Sequence, residues 1–270
     1  THSETHSNSI TAITKMMGPP PPQTAPPGRS FQDRIENADP NCICTASHGV
    51  GIVPFSSVLT RKLRIPLFQR RYAWNVGNWC NFLNDVLACA MGLKPSHSLG
   101  RLTCVEKREG LIVIDGQQRC TTAVLLLAAL RDVAEGEESA QFRASIDELL
   151  FSSSIVNVAA EFVIDGFLRE GANIENCVLI PTYCDRSSFF AALLNKNSSG
   201  DWRRPIEAKN FMIEQLRKKN YHLNLKKLQS VRGAILNKLK FLKFPITLQN
   251  KKKNDGTDDL LVIFERLALR

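Results

Sequence analysis

The sequence predicts an α+β domain, with a small mixed β-sheet at one end and a largely helical C-terminal part. Three observations carry this. Leu111-Ile112-Val113-Ile114 is a short, mostly β-branched apolar run that stops at Asp115-Gly116, and the unbroken apolar run Ala123 to Leu130 follows, so a buried strand opens directly into a core helix. Leu99 to Glu106 is a second apolar run, joined to the first by the polar turn Lys107-Arg108-Glu109-Gly110, which predicts a β-hairpin. Beyond Glu135 the apolar spacing becomes mainly helical. Hydrophobic residues at 43% and charged residues at 23% of 270 positions suffice for a sizeable core.

Taken in order, residues 1–53 read as a low-complexity, disordered segment, since Pro19 to Pro22 and Pro26-Pro27 forbid a helix. Order is expected from Val53-Pro54, giving one domain over 54–270 with a motif-bearing core at 54–135 and a mainly helical part at 136–270. Leu63 to Phe68 predicts a strand, with Pro66 confining it to a sheet edge or a strand end. Asn75 or Asn78 caps an amphipathic helix whose apolar face is Trp79, Phe82, Leu83, Val86, Leu87 and Ala90, and Met91-Gly92 ends it. The hairpin and the core helix come next. Ala140 to Leu150, Phe162 to Glu170 and Ser187 to Leu194 read as helices, and Cys177 to Ile180 as a short strand before Pro181. Pro205 takes the favoured first position of another helix. Leu223 to Leu239 reads as a helix weakened at Gly233, Phe241 to Leu248 as a strand, and Asp258 or Asp259 caps a last helix. No internal repeat occurs.

Composition excludes several classes. The longest apolar run is too short to span a bilayer, which predicts a soluble protein with no membrane partner. Eight cysteines include no Cys-x-x-Cys pair, so buried reduced thiols in an intracellular protein are expected, with no structural metal. Five scattered histidines argue against a histidine-metal nuclease in this chain. Lone His97 reads as structural or solvated. The phosphate loop, the dinucleotide fingerprint, the His-Glu-x-x-His pair and the nucleophile elbow are all absent. The formal charge is +9, and residues 202–254 carry fifteen Lys/Arg against Glu207 and Glu214. Such an excess can track a DNA backbone, or it can be a set of solvated helix faces.

Chemistry concentrates in two constellations. Gln69-Arg70-Arg71-Tyr72-Ala73-Trp74 packs guanidiniums, an amide and aromatics into six residues directly after a strand. Asp115-Gly116-Gln117-Gln118-Arg119 joins a strand to a helix, where free backbone N–H groups favour a phosphate. If the two strands are neighbours, Arg70 and Arg119 can neutralise phosphate oxygens. Gln117 and Gln118 can then orient phosphates or a water, and Asp115 can hold a metal or fix an arginine. A structural ion-pair network is the competing account.

Ile65-Pro-Leu-Phe-Gln69-Arg70-Arg71-Tyr72-Ala73-Trp74 and Val113-Ile-Asp115-Gly116-Gln117-Gln118-Arg119-Cys-Thr121-Thr122 together resemble the hallmark motifs of the N-terminal domain of GmrSD-type, modification-dependent restriction enzymes. Fainter likenesses are Leu179 to Asp185, Ala208 to Phe211 and Ile263 to Leu267. The resemblance implies a sheet of ParB/sulfiredoxin-like type, and nucleoside-triphosphate binding and hydrolysis, with Mg²⁺, coupled to DNA cleavage by a separate nuclease domain. Asp115, Gly116, Gln117, Gln118 and Arg119 would hold the triphosphate, with Asp115, Gln117, Gln118 and Arg119 catalytic. Gln69, Arg70, Tyr72 and Trp74 would complete the pocket, and Thr121 and Thr122 would contact phosphate or cap the helix. Phe68 stands where the family has tyrosine. The family's last helix continues with Asn and Gly where this chain has Ala268-Leu269-Arg270, and no His-Asn-His nuclease follows. The expectation is a truncated product or a stand-alone domain whose nuclease partner acts in trans. The alternative is a catalytically inactive DNA-binding or sensing module.

Overall fold

The computed structural model describes residues 44–46, 49–108, 110–151, 163–164, 167–168, 177–196, 198 and 202–248. Strands β1 (Cys44–Ala46) and β2 (Gly51–Pro54) come first, and residues 1–43 lie outside the described residues. Helix α1 (Phe55–Leu59) then buries Phe55 and Val58, ahead of β3 (Leu63–Arg64). Helix α2 (Val76–Ala90) starts on a reciprocal cap: Asn78 N–H donates to Asn75 Oδ1 at 3.3 Å and Asn75 N–H to Asn78 Oδ1 at 3.1 Å. The hairpin β4 (His97–Lys107) and β5 (Gly110–Asp115) leads straight into α3 (Gln117–Val133), followed by α4 (Ala140–Leu150). The short pair β6 (Val163–Ile164) and β7 (Phe167–Leu168) precedes β8 (Leu179–Ile180) and α5 (Arg186–Leu194). The chain continues through α6 (Arg204–Lys218), α7 (Leu225–Gly233) and a π turn over Ala234–Lys238, and ends its described course in β9 (Leu239–Leu248).

The mixed sheet runs β1-β9-β4-β5-β3-β8, with β2 pairing on the same side of β9 as β1. Strands β4 and β5 form the predicted antiparallel hairpin, Val105 opposite Ile112. Strand β3 runs parallel to β5, Leu63 beside Leu111 and Arg64 beside Ile112, and parallel to β8 on its other flank. The two strands that lead into the polar constellations are therefore neighbours.

Four local expectations change. Strand β3 is shorter than Leu63 to Phe68 and lies inside the sheet. Pro66 falls beyond it, and the ladder closes through Ile65 N–H donating to Ile180 O at 2.9 Å. Of the helix read over Phe162 to Glu170, the described residues are strands instead. Val163-Ile164 pairs with Phe167-Leu168, and Asp165-Gly166 between them is a hairpin signal that outweighs the apolar spacing. The helix read over Leu223 to Leu239 gives way at Gly233 to the π turn, which still buries Ala234, Ile235 and Leu236. Finally, β9 begins at Leu239, two residues earlier than Phe241. The expected last helix lies outside the described residues.

Helix α3 is the centre of the core. Residues Ala123 to Leu130 are wholly inaccessible, because an all-round apolar helix must be covered on every side, here by α4, α5 and α6. One charged network crosses this packing. Buried Lys209 of α6 donates to Asp132 Oδ2 at 2.8 Å and to Asn195 Oδ1, while Arg131 reaches Asp132 and Asp147, each at 2.8 Å. Burial lowers the Lys209 pKa, and Asp132 opposes that shift. Burial also pushes the Cys120 and Cys177 thiols up to about 12, so these are protonated packing groups. Among the described residues no helix is long and apolar enough to cross a membrane.

Candidate nucleotide site

Strand β5 ends at Asp115, and Gly116 makes the turn into α3 with φ +101°. A Cβ there would lie 3.1 Å from Arg101 O and from Leu102 Cδ1, so the backbone angle calls for glycine and the space around it is tight. The helix begins without a side-chain cap. Beside it, Asp115 Oδ1 accepts from Gly116 N–H at 2.8 Å and lies 3.7 Å from Arg119 Nη2. Arg119 Nη1 donates to Leu99 O across the sheet. Gly100 clears that path, since a Cβ on it would stand 2.6 Å from Arg119 Nη1.

The first constellation closes against this helix start. Gln69 Nε2 donates to Ile114 O at 2.7 Å, and Gln117 Nε2 donates to Gln69 Oε1 at 2.8 Å. Gln118 grips the loop at two points: Nε2 donates to Arg71 O at 3.1 Å and Oε1 accepts from Ala73 N–H at 2.8 Å. These three amides are buried, so each must find partners inside the protein, and each does. An amide that both donates and accepts suits this task, because the loop offers it one carbonyl and one N–H.

Beneath the loop a directed chain of hydroxyls follows from proton counting. Trp79 Nε1 donates to Tyr72 OH at 2.9 Å, and Thr122 Oγ1 donates to Gln118 O at 2.7 Å. Thr122 has only one proton, so the 2.8 Å contact with Tyr72 must be Tyr72 donating to Thr122 Oγ1. Burial raises the Tyr72 phenol well above its ordinary pKa, which keeps it a donor. Tyr72 N–H donates to Asp185 Oδ2 at 2.7 Å, and Thr182 Oγ1 approaches the same oxygen at 3.4 Å. Burial raises the Asp185 pKa, against the opposing Tyr72 N–H, Thr182, Trp202 and Arg71.

The structure thus brings both constellations together and divides their roles. Gln69, Gln117, Gln118, Tyr72 and Thr122 lie in the interior and hold the two walls to each other. Thr121 is buried in the first turns of α3, and Trp74 is half-buried against Phe82 with ring centres 6.0 Å apart. Asp115, Arg119 and Arg70 reach solvent: the Asp115 side chain is 54% exposed, Arg119 25%, and Arg70 is exposed. Sequence reasoning missed the Leu99-Gly100 contact, although a glycine within a strand signals a bulge or a close approach, and the β4–β9 register does slip between Ser98 and Arg101. It also gave Asp185 no role in the site. Two grooves lie elsewhere: one of about 580 Å³ lined by Leu87, Met91, Tyr221 and Lys227, and one of about 420 Å³ lined by Phe142, Leu225 and Arg232. Among the described residues no cluster of three His, Cys, Asp or Glu side chains could hold a metal unaided.

No curated protein matches the chain. Its sequence matches a family described as the GmrSD restriction endonuclease, N-terminal domain, over residues 55–268, from the first turn of α1 through both constellations and on past β9. With the greater part of its length matched, the chain belongs to the family of GmrSD restriction endonuclease N-terminal domains.

Proposed function

We propose that this chain binds a nucleoside triphosphate at the start of α3 and hydrolyses it, serving as the regulatory part of a modification-dependent restriction system. The observation that carries the reading is the uncapped helix start, with Gly116 at its tip, Arg119 and Asp115 on its rim, and the Arg70 loop locked onto it by three glutamines. Backbone N–H groups at such a terminus, with guanidiniums beside them, suit phosphate oxygens. Gln69, Gln117 and Gln118 position these walls, while Asp115, Arg119 and Arg70 meet the phosphates. Mg²⁺ fits this donor set, since a single carboxylate with the phosphates themselves commonly suffices for it, and Asp115 would hold it. When bound, the ion supplies neutralisation of charge on the phosphate oxygens. Cleavage of DNA would fall to a separate nuclease domain.

The test is thermal melting and phosphate release with ATP, GTP, CTP and UTP in the presence of Mg²⁺, using Arg119→Ala as control. A ligand present at 100 times its Kd stabilises by about 2.7 kcal/mol, enough to read as a shift in Tm. Stabilisation of the wild type and its loss in Arg119→Ala support the site, and no shift with any triphosphate removes it. A second reading, a sensing module that binds without turnover, is favoured by one observation: the Gln117 and Gln118 amides are engaged inside the protein. Stabilisation without phosphate release would select it.

A further inference from the structure

The loop clamped by Gln118 sends Arg70 and Arg71 outward. The Arg71 guanidinium lies over the Trp202 indole at 5.4 Å from the ring centre, and Arg204, at the start of α6, lies over the same indole at 5.9 Å. Asp185, buried beneath, feels both Arg71 and Trp202. Its chain neighbour Arg186 lies over Tyr183 at 5.7 Å, and Tyr183 is 63% exposed. Three segments far apart in sequence therefore bring arginines and aromatic rings to one face.

Two like charges share one indole here, and the carboxylate against Arg204 is Glu207 at 3.4 Å, itself 53% exposed. A guanidinium drawn to the face of a ring can still turn N–H groups to phosphate oxygens. Five cations of the described basic segment are engaged elsewhere in the chain. Lys209 is buried against Asp132, Lys218 pairs with Glu214 at 2.6 Å, Arg217 with Glu135 at 3.4 Å, Lys243 with Glu106, and Lys238 donates to Cys89 O. Among the described residues, part of the positive charge counted along 202–254 is thus engaged within the chain.

We infer that the Arg71–Trp202–Arg204 face, with Arg70 and Arg186 beside it, docks the phosphodiester backbone of duplex DNA without reading its bases. It uses residues other than the phosphate contacts proposed at α3, save Arg70 at the border of both. Gln118 links the two, since its amide holds the Arg71 carbonyl.

The experiment is fluorescence anisotropy of a labelled duplex of about 20 base pairs with the full chain, at several salt concentrations between about 50 and 200 mM, where each phosphate contact adds about 0.9 to the slope of log K against log salt. Arg71→Gln/Arg204→Gln should reduce the steepness of that slope by about 2. Lys226→Gln/Lys227→Gln, which removes the same charge from α7, should leave it unchanged. Trp202→Leu should weaken binding at fixed salt while keeping the slope. Absence of duplex binding by the wild type at about 50 mM salt, an unchanged slope in the arginine variant, or an equal loss in the lysine variant would overturn the inference. Melting curves verify folding, and if the double variant unfolds, each single arginine variant should lower the steepness by about 1. Nucleotide-induced stabilisation of the same samples reports separately on the α3 site, so either reading can fail alone.

Discussion

Tyr72→Phe tests the hydroxyl chain beneath the loop. The substitution keeps the ring, which is 2% exposed, and removes one oxygen that accepts from Trp79 Nε1 at 2.9 Å and donates to Thr122 at 2.8 Å. Thr122 keeps its bond to Gln118 O, but Trp79, also 2% exposed, is left with a buried donor. A stranded buried donor costs about 1–3 kcal/mol and a lost neutral hydrogen bond about 1 kcal/mol, so the expected loss is about 2–4 kcal/mol. For a domain of this size each kcal/mol lowers Tm by about 2–4 °C, so Tm should fall by roughly 4–16 °C. Urea denaturation of Tyr72→Phe, Trp79→Phe and the double variant completes a cycle. Its coupling energy should reach about 1 kcal/mol, because in the double variant no donor is stranded. Triphosphate affinity measured well below Tm should stay within about twofold, as the hydroxyl lies away from solvent. An unchanged Tm with nucleotide binding abolished would refute the assignment of Tyr72 to the scaffold.

Three further outcomes follow from single contacts. Gly100→Ala places a Cβ 2.6 Å from Arg119 Nη1 on backbone at φ +72°, so it should cost about 1–3 kcal/mol in denaturation and weaken nucleotide binding by displacing Arg119. Asp185 has a folded pKa raised above its unfolded value near 3.8, so the folded chain holds the proton more tightly. The stability this gives is full below that value and is lost as pH rises through the folded pKa. Asp185→Asn should therefore gain on the wild type in urea melts between pH 4 and 7, and a flat or reversed difference would contradict the sign. Lys209→Met leaves Asp132 with Arg131 alone and takes the donor from the buried Ala192 O, and should lower unfolding free energy by about 3 kcal/mol in denaturant titration.

The passage from β5 into α3 was readable because β-branched residues, an Asp-Gly turn and an apolar run each speak locally. So was the α2 cap, from Asn75 and Asn78. What the glutamines do was not readable. Their partners are backbone atoms of Ile114, Arg71 and Ala73 and, for Gln117, the Gln69 side chain, and nothing in residue type distinguishes an amide facing a ligand from one facing its own chain. The span of β3 also escaped, since Leu63 to Phe68 is apolar apart from Arg64 but the ladder ends with the Ile65 N–H bond to Ile180 O. The Val163-Ile164 pair shows two local signals in conflict, with the turn prevailing over helical spacing. The basic count at 202–254 was visible, yet which cations are paired, buried or stacked depends on distant acids and rings.

The place of β9 has a consequence for how the molecule comes into being. This last described strand pairs with β4 on one side and with β1 and β2 on the other, so it completes the sheet from the middle. From Asp115 to Leu239 the ribosome must add roughly 120 residues, which at 5–20 residues per second takes roughly 6–25 s. Throughout that interval one flank of β4 waits without its partner, an exposed edge of the kind that invites misplaced association. The hairpin that carries Asp115 can form early in synthesis, but the sheet that supports it closes only after Leu248 has emerged.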